Sequence, residues 1–73
     1  SIKQGQMYTS ADILAKYTTA SVMKMKTNGV NVSVNNSDMF HLDVNDETYL
    51  VTGHTYIFDR ACTIAVGRYV AIA

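Results

Sequence analysis

The chain has 73 residues with six basic and six acidic side chains, so its formal net charge is zero. That balance argues against a general polyanion binder, whose domain is usually clearly basic. The single cysteine, Cys62, excludes an intrachain disulfide and favours a reducing compartment. No apolar run reaches the length of a membrane span, so we expect a cytoplasmic protein that forms one small domain over residues 1–73.

The charges are unevenly distributed along the chain. Residues 1–30 hold four lysines against one aspartate, whereas residues 31–59 hold five acidic residues and no lysine or arginine. Such an asymmetry can mark a face for a partner, but it is more often an uneven solvated surface. We treat the solvated surface as the first interpretation and the partner face as the alternative.

The N-terminal part predicts one helix. Residues 1–6 are polar and are expected to form a frayed lead-in or an edge strand. The run Thr9-Ser10-Ala11-Asp12 fits a capping box, with Thr9 as the N-cap and Asp12 at the third helical position. Helical periodicity continues to about residue 20 and then gives way to a period of two.

The dipeptide Asn28-Gly29 is the strongest local signal, because both residues tolerate the positive φ that a type I′ turn requires. A two-residue hairpin here would pair Met25 with Val32 and Lys24 with Ser33. Its register would bury one set of side chains, Met23, Met25, Val32 and Val34. It would turn a second set to solvent, Lys24, Lys26, Asn31 and Ser33.

Two further tight turns are predicted at Asn45-Asp46 and Gly53-His54, and Asn35-Asn36-Ser37-Asp38 is a plain turn cluster. Hairpins at the first two would place Phe40, Leu42, Tyr49, Val51, Tyr56 and Phe58 on one face. Strands are expected at about 22–27, 30–35, 39–44, 47–52, 55–59 and 62–72, with Gly67 marking a bulge in the last. The predicted fold is α+β: one short N-terminal helix, at about 10–20, followed by a strongly twisted antiparallel meander of five to six strands, open or rolled into a small barrel.

The residues that could carry chemistry do not form a convincing catalytic or metal site. Possible metal ligands are His41, Asp43, Asp46, Glu47 and His54, but they come from turns and an outward strand face, where solvated side chains are the ordinary interpretation. Cys62 with a histidine base could form a nucleophile, yet its apolar strand favours a small buried thiol. There is no phosphate-binding glycine loop. We therefore expect no enzyme, no cofactor and no metal.

The leading functional hypothesis is a small non-catalytic binding module that contacts a protein partner or its own copy. The candidate interaction surface comprises Tyr8, Lys16, Tyr17, Lys24, Lys26, Arg68 and Tyr69, because tyrosine is enriched at interfaces and the basic residues supply charge. Compact, proline-free chains rich in threonine and asparagine are common among phage or mobile-element proteins that modulate or inhibit a host factor. This expectation rests on composition alone.

Two alternatives remain open. A nucleic-acid binder would use the Lys24/Lys26 hairpin face with nearby tyrosines as stacking platforms. The run from Thr9 to Met25 also has the opening of a helix-turn-helix, although the hairpin register assigns Met23 onward to a strand. The second alternative is a homo-oligomeric structural component.

Overall fold

The computed structural model describes residues 2–14, 23–36 and 38–67. Its elements are β1 (Met7–Thr9), α1 (Ser10–Ile13), β2 (Met23–Lys26), β3 (Val32–Asn36), β4 (Met39–Asp43), β5 (Glu47–Leu50), β6 (Thr55–Phe58) and β7 (Ala65–Gly67). The strands form two antiparallel sheets, which we call sheet I, in the order β1-β6-β3-β4, and sheet II, in the order β5-β2-β7. The expected antiparallel sheet is confirmed, but these strands form two sheets and no closed barrel.

The helix begins where the capping box predicts. The Oγ1 atom of Thr9 accepts a hydrogen bond from the Asp12 backbone N–H at 3.1 Å, and the Thr9 N–H donates to Asp12 Oδ2 at 2.9 Å. In the described residues α1 is a single turn that ends at Ile13 with Leu14 as its C-cap. The rest of the predicted helix, residues 15–20, lies outside the described residues. Among the residues that the structure describes, no helix is long and apolar enough to cross a membrane.

The turn at Asn28-Gly29 forms as predicted, with φ of 53° and 82° and a 3.0 Å hydrogen bond from the Val30 N–H to the Thr27 carbonyl. The hairpin pairing built on it is wrong. β2 pairs with β5 and β7, whereas β3 pairs with β4 and β6. β2 is the central strand of sheet II and has a paired strand at both edges, which a hairpin with β3 alone would not provide, and an isolated two-stranded hairpin is only marginally stable.

The other two predicted hairpins are wrong in the same way. Asn45-Asp46 links β4 in sheet I to β5 in sheet II, and residues 51–54 link β5 back to β6 in sheet I. In the second turn the His54 N–H donates to the Val51 carbonyl at 3.0 Å, so Gly53, with φ of 89°, is the third residue and not the second. Each turn therefore carries the chain from one sheet to the other.

β3 and β4, which are separated by two residues in the chain, form an antiparallel pair. Its register pairs Asn36 with Met39 and continues to Val32 opposite Asp43. In the sequence, the connection belongs to the turn cluster Asn35-Asn36-Ser37-Asp38. It decides which face of β4 points inward.

The hydrophobic core lies between the two sheets. Sheet I contributes Val32, Val34, Tyr56 and Phe58, and sheet II contributes Met23, Met25 and Leu50. The set of side chains expected to be buried around the Asn28-Gly29 turn is confirmed, although its members belong to different sheets. When a tight turn connects two strands in facing sheets, the inward side chains of both strands enter the same interior, as they would in a hairpin.

Candidate interaction surface

An apolar row runs along β4 on the outside of the molecule. Phe40, Leu42 and Val44 are 57%, 58% and 65% exposed, respectively, and we call these three residues the β4 row. Side chains alternate across a strand, so Phe40 and Leu42 share a face, and Val44 continues the alternation just past the strand end. The prediction that Phe40 and Leu42 share a face with Tyr56 and Phe58 is wrong, because Tyr56 and Phe58 are fully buried on the inner side of the sheet and Phe40 and Leu42 lie on the outer side.

The pairing with β3 explains why the β4 row faces outward. Val34 lies opposite His41, and the buried Val32 lies opposite Asp43. Directly paired residues of antiparallel strands project from the same face of the sheet. The polar residues of β4 therefore line the inner side, and Phe40 and Leu42 are turned to the outer side.

β4 is an edge strand of sheet I, with β3 on one side and no further strand beside it among the described residues. An edge presents unpaired backbone N–H and C=O groups, which proteins commonly protect with lysine, proline or a bulge. The segment Met39–Asp43 contains neither lysine nor proline. The β4 row and this backbone edge together form an open apolar border.

The inner side of β4 borders a shallow, open cavity of about 170 Å³ between the two sheets, lined in part by His41, Asp43, Tyr49 and His54. Asp43 is held firmly there: Oδ1 accepts from the Asn45 N–H at 2.9 Å and Oδ2 from Thr48 Oγ1 at 3.0 Å. These bonds attach the end of β4 to the start of β5. Within the described ranges, no group of three or more His, Cys, Asp or Glu side chains could hold a metal ion.

Lys24 does not face solvent as the hairpin register predicts. Its side chain is only 6% exposed, with Nζ 3.5 Å from Glu47 Oε2 and 4.6 Å from the centroid of the Tyr49 ring. Tyr49 is its cross-strand neighbour in β5, and Gly67 is its neighbour in β7. Lys26, next on the same face, is half-buried. The expected outward lysine face is therefore wrong at Lys24.

The remaining predicted surface residues divide into two groups. Tyr8 packs on the core, with its ring edge-on to Phe58 at 6.0 Å between centroids, and its hydroxyl oxygen accepts from the Lys3 N–H at 2.9 Å. Four others lie outside the described residues: Lys16, Tyr17, Arg68 and Tyr69. The structure therefore does not bring the predicted set together in the part of the chain it describes.

Cys62 is half-buried and its backbone bridges Ile2. Burial raises the pKa of the thiol above its ordinary value; Arg60 opposes the rise and Asp59 adds to it. A raised pKa lowers the thiolate fraction, and the thiolate is the nucleophile. This environment favours the structural interpretation of Cys62 over a catalytic one.

Sequence reasoning missed the β4 row as a surface, although the necessary signal was present. Only two residues, 37 and 38, separate the ends of β3 and β4, and a two-residue connection fixes the register. Applying that register places His41 beside Val34 and turns Phe40 outward. The sequence analysis instead used a hairpin at Asn45-Asp46, which places Phe40 and Leu42 on the opposite face of β4.

Comparison of the chain with protein-family models, with curated proteins and with solved structures found no match.

Proposed function

We propose that this chain is a non-catalytic protein-binding module whose contact surface is the β4 row together with the backbone edge of β4 that pairs with no other strand among the described residues. The observation that carries the proposal is the alignment of Phe40, Leu42 and Val44, each more than half exposed, along an edge strand. Contiguous exposed apolar patches mark sites of interaction with proteins or membranes more often than scattered single residues do.

The chemistry of the surface suits a strand from another protein. The backbone edge can extend sheet I by hydrogen bonding to an added strand, and the β4 row supplies apolar area for its side chains. Fully burying one such side chain contributes roughly 1.5–3 kcal/mol, so half-exposed residues retain on the order of 1 kcal/mol each. A small chain that modulates or inhibits another protein needs no more than a surface of this kind.

The charges near this surface favour protein over nucleic acid. Asp38, Asp43 and Asp46 lie on or beside β4, and they would repel phosphates. The Lys24 ammonium, which the nucleic-acid alternative requires, is already engaged by Glu47 and the Tyr49 ring. Protein binding therefore ranks ahead of nucleic-acid binding.

A photo-crosslinking amino acid at position 42 tests the proposal, with the same group at the exposed position 63 as the matched control. In extract from the source cells, we expect adducts with protein from position 42 and not from position 63. Excess unlabelled protein should compete them away, whereas the Phe40→Asp variant, substituted at an exposed site, should compete poorly. Equal yields at the two positions, or none at position 42, would contradict the proposal.

A further inference from the structure

The geometry points to a second copy of this chain as an occupant of the β4 surface. We infer that β4 pairs antiparallel with β4 of the second copy about a two-fold axis through Leu42, which joins the two copies of sheet I into one continuous sheet. This inference rests on the proposed function, because it assigns a partner to the same surface.

The sequence of β4 is self-complementary in this register. When two identical strands pair antiparallel about Leu42, Leu42 lies opposite Leu42 of the second copy, and Phe40 lies opposite Val44. The Leu42 contact lies on the axis and occurs once, the Phe40–Val44 contact occurs twice, and all fall on the outer face. The three members of the β4 row, exposed in the single chain, are then each paired with an apolar side chain.

The inner face of the seam between the two β4 strands is also complementary. In the same register His41 lies opposite Asp43 of the second copy, and the symmetry repeats the contact. An imidazole N–H can donate a hydrogen bond to a carboxylate, and polar cross-strand pairs of this kind stabilise an antiparallel pair, whereas like charges directly opposite destabilise it. Asp43 is already oriented by Asn45 and Thr48, so its carboxylate is fixed at the seam.

Neighbouring registers satisfy these side chains less well. Centring the pair on Asp43 would place the two Asp43 carboxylates directly opposite each other. Centring it on His41 would place Asp43 opposite Met39 and leave Val44 without an apolar partner. The Leu42-centred register is therefore the one in which both faces are matched.

The seam is short, which sets its strength. About five residues from each copy meet, which places the contact among small, weak interfaces. Zero net charge avoids overall repulsion between copies, but at the two ends Asp38 comes level with Asp46 of the second copy. We expect a reversible dimer whose population rises from micromolar to millimolar protein.

Disulfide trapping tests the register. In a Cys62→Ala background with oxidised glutathione as the oxidant, Leu42→Cys should form a disulfide-linked homodimer. Phe40→Cys and Val44→Cys should not link when each is alone, but a mixture of the two should give the mixed dimer. Linking of Phe40→Cys with itself as efficiently as Leu42→Cys, or no linking at position 42, would overturn the inference.

Sedimentation equilibrium of the unmodified chain tests the dimer itself. The weight-average mass should rise with concentration and should remain that of a monomer for Phe40→Asp. The matched pair His41→Lys and His41→Glu should differ in dissociation constant by roughly tenfold, with lysine tighter because it faces Asp43. A monomer at millimolar concentration, or equal effects of the two His41 substitutions, would overturn the inference.

The two proposals can fail separately. If the purified chain stays monomeric while position 42 still forms adducts with another protein, the inferred dimer is wrong and the proposed protein-binding surface stands. If the chain stays monomeric and position 42 forms no adducts, both are wrong.

Discussion

At the residue scale, the Tyr56 hydroxyl forms hydrogen bonds with the backbone where β5 ends and the connection to β6 begins. The side chain is fully buried; its oxygen accepts from the Val51 N–H at 3.0 Å, and its O–H donates to the Tyr49 carbonyl at 2.7 Å. One hydroxyl thus satisfies a donor and an acceptor of the backbone where the chain crosses between sheets. Buried polar groups left without such partners are costly.

We expect Tyr56→Phe to lower the free energy of unfolding by about 1–2 kcal/mol, because the Val51 N–H and the Tyr49 carbonyl lose their partner. Urea denaturation measures the change. Tyr49→Phe is the matched control: the Tyr49 side chain is 49% exposed, and the ring above Lys24 is retained, so its stability should stay close to that of the parent chain. Equal losses in the two variants would argue against the hydroxyl as the cause.

The same residue predicts a dependence of stability on alkaline pH. Burial raises the pKa of Tyr56 above its usual 10.0; the Val51 hydrogen bond opposes this and the Asp43 charge adds to it. The folded state therefore binds the phenolic proton more tightly than the unfolded state. The resulting stability is present below pH 10 and is lost as the pH rises through the folded pKa.

The difference in unfolding free energy between the parent chain and Tyr56→Phe should therefore shrink above about pH 10. Denaturation curves of both proteins, measured between about pH 8 and about pH 11, give that difference. The pKa of Cys62 is also raised, but Cys62 is present in both proteins and its contribution cancels. A constant difference over this range would contradict the assignment.

Lys24 offers a third prediction, because its buried ammonium depends on Glu47. We expect Glu47→Gln to lower stability by about 1 kcal/mol; the loss is limited because Glu47 is itself 36% exposed. Lys24→Met should be neutral or stabilising, since an apolar side chain needs no charged partner in the same space. Thermal melts of the two variants measure this contrast. A larger loss from Lys24→Met than from Glu47→Gln would show that the pair stabilises the fold more than its burial costs.

At the element scale, the tight turns act as crossings between sheets rather than as hairpin loops. The Thr27 N–H donates to the Asp46 carbonyl at 2.9 Å, and Thr27 Oγ1 donates to the Asn45 carbonyl at 3.3 Å. The crossing from β2 to β3 is thereby bonded to the crossing from β4 to β5. Thr27 is fully buried at this junction, so the two crossings support each other.

Gly29 tests this arrangement at the level of the turn. Its φ is +82°, and a Cβ placed there would meet no heavy atom within 4 Å, so any penalty arises from the backbone. We expect Gly29→Ala to cost about 1–2 kcal/mol and Gly29→Val more, because a β-branched residue resists positive φ. Gly29→Asn, which tolerates this conformation, is the control and should lose least. A Gly29→Val melt that matches the parent chain would contradict the turn.

At the scale of the whole molecule, the chain alternates between sheets: β2 and β5 lie in sheet II, and β3, β4 and β6 lie in sheet I. This alternation encloses Met25, Val32 and Phe58 completely. It also leaves β4 at an edge with its apolar row outside. The same topology thus produces the core and the surface on which the proposed function rests.

The sequence by itself determined the local features. The capping box at Thr9 and the positive φ at Asn28 and Gly29 were both predicted, because each depends on residues close together in the chain. Hydrogen bonds and steric limits within a few residues are sufficient to specify them.

Only the tertiary structure decided which strands pair, and therefore which of two competing turns sets the inner face of β4. An alternating pattern has two faces, and a one-residue change of register exchanges them, so alternation alone cannot tell a core row from an exposed one. Pairing with β3, whose valines are buried, turned the half-buried Asp43 and the exposed His41 to the inner side of the sheet and Leu42 to the outer side. The partner of a strand is set by long-range packing, and for β2 and Lys24 that packing outweighed the neighbouring turn.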